Sequence, residues 1–279
     1  MAVTGGIKFF DLNLADSKTG TTATASSGDP AAPFILDRNN YTYWRSVGSD
    51  DLTQEQIDVD FPASTTFSRL FLIGHNFKDI SVVRKVGPLT FPFTNVIGVN
   101  GVSKSGISET NETRNTSYYE FSETTGDGVR ITCQTTQAPN EEKFLNSLVL
   151  GSELGTLQGY PIIRDATKDK KLRKSILLNG RSFVSKSLEV FRFSIDFKNY
   201  ASDFTDDTGL IYELFDRDDN FYTWLCGGRA EEPWFCDTLR GWRLEDLILT
   251  QTTNIFKDSY RKNIYTSATN LKLNLEEAG

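Results

Sequence analysis

The chain reads as a mainly β protein, with an N-terminal β-sandwich or barrel followed by a second domain, a twisted sheet or open β-barrel-like fold, that carries one short helix. Three observations predict this. Short segments of alternating or wholly apolar character recur along the 279 residues, separated by Gly, Pro, Asn and Asp. The apolar complement is aromatic, with 20 phenylalanines against one methionine, which suits pleated, half-buried surfaces. A break in texture near Thr156–Pro161 divides the chain into residues 1–157 and 158–279, each long enough for one core.

In the first part, Ile7 to Leu14 form a short apolar stretch, followed by a loop of Thr, Ser, Ala, Gly and Pro. In IDVDF, Ile57, Val59 and Phe61 alternate with Asp58 and Asp60, the period of a half-buried strand. The run from Leu70 to Ile73 is apolar on both parities, as expected of a strand covered on both faces. KDISVVR, TNVIGV, SYYEF, GVRITCQ and NSLVLG add further strands. Between Ser103 and Ser117 only Ile107 is apolar, so this stretch is expected as an exposed, mobile loop.

The second part opens on GTLQGYP and then a basic run, Lys168, Lys170, Lys171, Arg173 and Lys174, expected as a solvated turn or a contact between subunits. In FRFSIDF, Phe191, Phe193, Ile195 and Phe197 share one face of a strand. DDTGLIYELFDRDD predicts a helix, capped by Asp207 or Thr208, with Leu210, Ile211, Leu214 and Phe215 on one face. NFYTWLCGG, WRLEDLILTQ and NLKLNLEE return to strand patterning.

A net charge of −7 disfavours nucleic acid as a partner, since phosphate binding relies on clustered Lys and Arg. No run approaches the roughly 20 apolar residues that cross a bilayer, and the first residues lack a signal-peptide pattern, so a cytoplasmic origin without membrane insertion is expected. The three cysteines suit a reduced compartment; Cys226 and Cys236 flank a Gly-Gly turn, and their spacing leaves pairing open.

Catalytic chemistry has little to stand on. His75 is the single histidine, so any Ser-His or Cys-His site would have to use it, and it reads as a strand-end residue bonding a neighbouring turn. No metal-ligand motif is present, so neither a metal nor another cofactor is expected. Asp58 and Asp60 lie two apart on a strand, the ordinary solvent face of a soluble sheet. Trp224, Trp234 and Trp242 read mostly as core, with Trp234, after Pro233, the one expected at the surface.

Ala25-Ser26-Ser27, Leu36-Asp37, Thr42 and Trp44, followed by IDVDF and LFLIGHNF, resemble the galactose-binding-like jelly roll of discoidin and coagulation-factor C-type domains. The resemblance spans the first 155 residues; Arg38 stands where Gly is usual, leaving Asn39 or Asn40 to supply the turn. It implies the fold and leaves the ligand open, because these residues hold the loop and core. GTLQGYP, FRFSIDF and FYTWLCGG are similar to the C-terminal half of bacteriophage tail-tip proteins. There a galactose-binding-like domain is joined to a barrel-like domain that helps form a ring. This resemblance implies a structural, non-enzymatic part of a phage tail tip or baseplate. It would be made in the host cytoplasm and carried in the virion. Its partners would be copies of itself and other tail proteins, with host surface polysaccharide as a further contact. The alternative is a free-standing carbohydrate-binding protein acting through its N-terminal domain; a two-carboxylate glycosidase ranks last, since no acid pair stands out. Candidate ligand or partner contacts are Asn39, Tyr41, Tyr43 and Trp234.

Overall fold

A computed structural model describes residues 6–11, 13–37, 42–48, 50–98, 103–158, 162–176, 182–201, 214, 221–227, 247–252, 261–262 and 268–277. The chain divides into two compact units. One is Leu12–Glu153 with the first three residues; the other is Thr4–Asp11 with Leu154–Gly279. Both are built of β-strands, and among the described residues the strand pairs with a defined register are antiparallel. The first strand, β1 (Gly6–Phe10), belongs with the C-terminal strands, whereas the sequence boundaries had grouped it with residues 1–157. Nothing local marks that exchange, because the partner of Phe10 is Tyr222.

The sandwich unit contains β2 (Thr22–Ala25), β3 (Trp44–Arg45), β4 (Glu55–His75), β5 (Ile80–Val86), β6 (Leu89–Pro92), β7 (Val96–Gly98), β8 (Ser103–Lys104), β9 (Ile107–Glu109), β10 (Thr116–Cys133) and β11 (Phe144–Gly151). β4 and β10 are the longest, and they organise it. Their pairing is interrupted: Gly126 faces Thr65 and Gly128 faces Asp60, so Phe61–Ser64 have no partner in β10. Such an irregularity bends a strand, and here it divides the ten-stranded sheet into two layers. On one side of the bend β4 pairs with β2, and β10 pairs with β5. On the other, β4 pairs with β11, and β10 with β7. Gly128 allows the close approach at the bend, since a Cβ there would stand 2.0 Å from the Val59 carbonyl oxygen.

Inward-facing side chains of both layers form one core. Ile57, Val59, Val129 and Ile131 come from one layer, Leu70, Leu72, Tyr119 and Leu148 from the other. The alternation of IDVDF is therefore expressed as expected, and of the double-sided apolar run Leu70 to Ile73 the first three residues are buried and Ile73 is half-buried. The phenylalanine-rich composition is spent at the bend, where Phe67 meets Phe61, Phe93 and Phe121 edge-on at centroid distances of 5.6, 6.1 and 5.9 Å. Edge-to-face pairs of this kind contribute about 0.5–1.5 kcal/mol each beyond burial.

The second unit adds β12 (Glu153–Gln158), β13 (Ile162–Ile176), β14 (Ser182–Ala201), β15 (Phe221–Gly227), β16 (Leu247–Thr252), β17 (Arg261–Lys262) and β18 (Ala268–Glu277). They form one eight-stranded sheet in the order β12-β1-β15-β16-β18-β14-β13, with β17 on β18. FRFSIDF, FYTWLCG and NLKLNLEE all lie in strands. The basic run does too. Lys168–Lys174 sits in β13, paired residue by residue with β14, and is not the turn expected from its charge. Of the expected helix only Leu214 is described; it is helical and buried.

Candidate functional site

The rim of the sandwich around β3 gathers the side chains best suited to a ligand. Its scaffold is the motif Ala25-Ser26-Ser27. Ser26 Oγ accepts from the Gln56 N–H at 2.9 Å and donates to the Glu55 carboxylate, tying the loop to β4. Ser27 contributes its carbonyl to the Trp44 indole N–H at 2.9 Å and its hydroxyl to the Val47 N–H at 3.2 Å. Gly28, at φ 61°, lets the Arg45 carbonyl approach so closely that a Cβ would lie 2.0 Å from its oxygen. Asp29 accepts from the Ala25 N–H and starts a 3-10 helix, Asp29–Leu36, that packs against β3.

On this scaffold Trp44 points into the core, edge-on to Phe77, and its neighbours along the chain point outward. Tyr43 is 39% exposed. Its ring lies edge-on to Phe144 at 6.1 Å, and the Arg45 guanidinium sits over the ring, 5.1 Å from the centroid. Arg45 donates to the Tyr43 hydroxyl at 2.8 Å and forms a 2.8 Å ion pair with Glu142. Thr42 donates its hydroxyl to the Asp37 carboxylate at 2.8 Å, and its carbonyl accepts from Asn146 at 2.6 Å. Phe34, on the 3-10 helix, is 42% exposed. Around Tyr43 the result is an exposed aromatic ring edged by a guanidinium, a carboxylate and a hydroxyl. An aromatic face takes the C–H face of a flat, partly apolar ligand while the polar rim takes its hydroxyls.

Of the sequence candidates, Tyr43 is thus placed in the cluster; Asn39, Tyr41 and Trp234 lie outside the described residues. Arg45, Glu142 and Phe144 were missed. The spacing of Tyr43 and Arg45 on one strand face was a usable signal, since alternate residues share a side. Glu142 and Phe144 offered none, because they arrive through the pairing of β11 with β3, in which Phe144 faces Arg45.

His75 closes β4 and is fully buried, bonding neighbouring segments as its strand-end position suggested. Nδ1 accepts the Phe77 N–H at 3.2 Å, so Nε2 carries the proton and donates to Ser117 Oγ at 3.0 Å. Ser117 in turn donates to Glu112 at 3.1 Å. These are the residue types of a hydrolase triad in the wrong order. The imidazole lone pair is committed to the backbone, and the serine proton points to the carboxylate, so nothing deprotonates Ser117. Burial holds the imidazole at a pKa of about 4; Glu112 opposes that shift and Arg114 adds to it.

Glu112 anchors the segment expected as a mobile loop. Its carboxylate accepts from the Thr113 and Arg114 N–H groups and from the Arg114 guanidinium, all at 2.9 Å. Burial works to raise its pKa, but the Arg114 hydrogen bonds and charge outweigh it and hold the carboxyl below its ordinary value. The stretch also contains β8 and β9, with Ile107 buried in the core, so polar composition here conceals ordered structure.

Asp58 and Asp60, the sequence's nearest approach to an acid pair, are ion-paired. Arg130 bonds both oxygens of Asp58 at 2.7 and 3.0 Å, and Lys85 bridges to Asp60. Burial pushes the Asp58 pKa up, and the Arg130 hydrogen bond with the Lys85 and Arg130 charges pulls it further down, so the carboxylate stays ionised. Among the described residues no three His, Cys, Asp or Glu side chains are gathered to hold a metal. Cys133 is a buried free thiol whose pKa burial raises far above normal; the side chains of Cys226 and Cys236 lie outside the described residues.

No family model and no curated protein sequence matches this chain. Among solved structures it is similar to chitosan-binding module 2 of a chitosanase/glucanase from Paenibacillus sp. IK-5, solved with chitotriose, at 18% identity and TM-score 0.39, over 50% of this chain and 99% of that one. It is similar to a CBM32 module of a GH89 protein from Clostridium perfringens, solved with GalNAc-β-1,3-galactose, at 14% identity and TM-score 0.38, over 50% and 99%. A GH29 fucosidase from Ruminococcus gnavus matches at 17% identity and TM-score 0.38, over 50% of this chain and 26% of that one. With all three TM-scores below 0.5, the sandwich rests on its own strand registers.

Proposed function

We propose that the sandwich unit is a non-catalytic carbohydrate-binding module that takes a glycan at the rim around Tyr43. The observation that carries this is the exposed Tyr43 ring with Arg45, Glu142 and the Asp37–Thr42 pair around it. Tyr43 supplies the stacking face. Arg45 and Glu142 offer donors and acceptors to sugar hydroxyls, already oriented by each other so that little side-chain freedom is lost on binding. The buried Trp44 and the Gly28 turn hold these groups in place without touching ligand. The test is calorimetric titration of the full chain with a panel of soluble oligosaccharides, repeated on Tyr43→Ala and Arg45→Ala. Saturable binding that weakens at least about tenfold in both variants, with unchanged unfolding curves, is the expected result. Absence of saturable binding across the panel, or binding indifferent to both changes, refutes the site.

A second reading, a structural part of a phage tail tip that forms a ring with its own copies, comes from the resemblance of the second part of the sequence alone, and the chain path is compatible with it. The chain leaves the second unit's sheet after β1 and returns to it as β12, the strand next to β1. The sandwich is thus an insertion between adjacent strands, a way for one domain to carry another. In this reading the second unit assembles, and the sandwich meets host polysaccharide through the same rim. Co-sedimentation with tail-sized particles from phage-producing cells tests it; a chain that never joins such particles sinks it.

A further inference from the structure

Glu142 lies just ahead of β11, on backbone that is fixed from both sides. The buried Asn76 donates its amide to the Glu142 carbonyl at 2.8 Å and accepts the Phe144 N–H at 3.0 Å, so one side chain clamps the chain on either side of Lys143. From the other direction Ser46 donates its N–H to the Lys143 carbonyl at 2.8 Å, and its hydroxyl accepts the Lys143 N–H at 2.9 Å. Lys143 turns inward: its side chain is buried, and the ammonium donates to the Asp50 carbonyl at 2.7 Å. Its neighbours turn to the opposite face, where Phe144 meets Tyr43 and Glu142 meets Arg45.

The carboxylate delivered in this way is the counter-ion of the rim. Arg45 commits Nη1 to Glu142 and Nη2 to the Tyr43 hydroxyl, each at 2.8 Å, with the guanidinium over the Tyr43 ring. An unpaired guanidinium presents a planar fork that matches a carboxylate, sulfate or phosphate with two parallel hydrogen bonds. Here Glu142 already holds that fork. An anionic sugar approaching Tyr43 would have to displace Glu142 and then lie beside its charge. An uncharged sugar needs no such exchange, because both members of the pair can bond its hydroxyls and stay together. Selectivity then comes from an unfavourable contact with the wrong ligand as much as from a favourable one with the right ligand. The two side chains are 50% and 43% exposed, so water screens the pair and the selection is a matter of several-fold, not absolute.

Taking the rim as a glycan site, a reading on which this inference rests, we propose that Glu142 is its specificity-determining residue and restricts it to glycans without carboxylate, sulfate or phosphate groups. The experiment is calorimetric titration of the full chain with trigalacturonate and trimannuronate and with their methyl esters, which keep the sugar skeleton and remove the charge. Wild type is expected to prefer the esters. Glu142→Gln keeps a polar side chain of the same length without its charge. In that variant the affinity for acid relative to ester should rise at least about fivefold, and the gain should shrink as salt is added and vanish in Glu142→Gln/Arg45→Gln. Unfolding curves check that both variants are folded. Esters bound by wild type, with an acid-to-ester ratio unchanged in Glu142→Gln, overturn the proposal and leave the glycan reading standing. A gain that persists without Arg45 also overturns it, since the fork would then have no part in the selection. Wild type that binds neither acids nor esters counts against the glycan reading instead, and the Arg45 Nε–H resonance during addition of galacturonate then decides the role of Glu142. Movement in Glu142→Gln but not in wild type upholds it; movement in neither, or equal movement in both, overturns it.

Discussion

Acid should destabilise the sandwich through one identifiable proton. His75 is fully buried, with Nδ1 accepting from the Phe77 N–H and Nε2 donating to Ser117. A second ring proton would point at the Phe77 N–H, and burial lowers the pKa from 6.5 to about 4. Between those values the unfolded chain binds a proton that the folded chain refuses, so folding stability falls as pH drops through that window. At about 1.36 kcal/mol per pH unit, the full loss is about 3 kcal/mol, complete below pH 4 and absent above 6.5. Urea unfolding of wild type and His75→Asn between pH 7 and pH 4 measures this. The asparagine oxygen can accept the Phe77 N–H without titrating, and the acid sensitivity of the carboxylates cancels in the difference. The gap between the two stability curves should close by about 3 kcal/mol on acidification, from an advantage of wild type at pH 7. Because the chain has one histidine, its imidazole proton resonance reads the folded titration directly. A midpoint near 6 in the folded protein, or stability curves that run parallel, would show that the ring is not held neutral by burial and would refute the reasoning.

Further expectations follow from the same geometry. Gly28→Ala should cost several kcal/mol, about 2–4 by analogy with other overpacked or strained sites, because the added Cβ meets the Arg45 carbonyl at a left-handed φ; denaturant midpoints check it, and a near-neutral change would mean that the loop can relax. Trp44→Phe keeps a ring in the core but leaves the Ser27 carbonyl without its donor, and should cost about 1–3 kcal/mol in the same assay. Glu112→Ala removes the acceptor of two backbone N–H groups, Ser117 and Arg114, and about 2–4 kcal/mol of stability should go with it. Hydrogen exchange in residues 110–117 should rise at the same time, whereas protection unchanged there would separate that segment from its carboxylate anchor. The Cys133 thiol should resist alkylation in the folded protein and react fully once unfolded, as read by mass spectrometry of the peptide that contains it.

Much of the architecture is set by local pattern. The alternation of Ile57, Val59 and Phe61 against two aspartates can bury one face only as a strand, and the double-sided run Leu70 to Ile73 calls for cover on both faces, which Leu70, Phe71 and Leu72 have in full and Ile73 in part. The resemblance carried by Ala25-Ser26-Ser27 and Trp44 implied residues that hold the loop and core, and the Ser26–Glu55 and Trp44–Ser27 bonds do so. What the sequence could not decide by itself is which distant segments meet. IDVDF and the run ending at His75 are one strand that bends where the pairing with β10 lapses at Phe61–Ser64, and a lapse in pairing is a property of two strands side by side. Glu112 looks like any surface acid among Ser, Thr and Asn until Arg114 and Ser117 close on it. The charge of Lys168–Lys174 suggested a solvated turn or a contact between subunits; pairing with β14 makes it strand and rules out the turn, since backbone hydrogen bonding is independent of side-chain charge. At the rim, Tyr43 and Arg45 could be put on one side from their spacing alone. Glu142 and Phe144 join them because β11 runs beside β3, and that adjacency exists only once both layers have closed over the core.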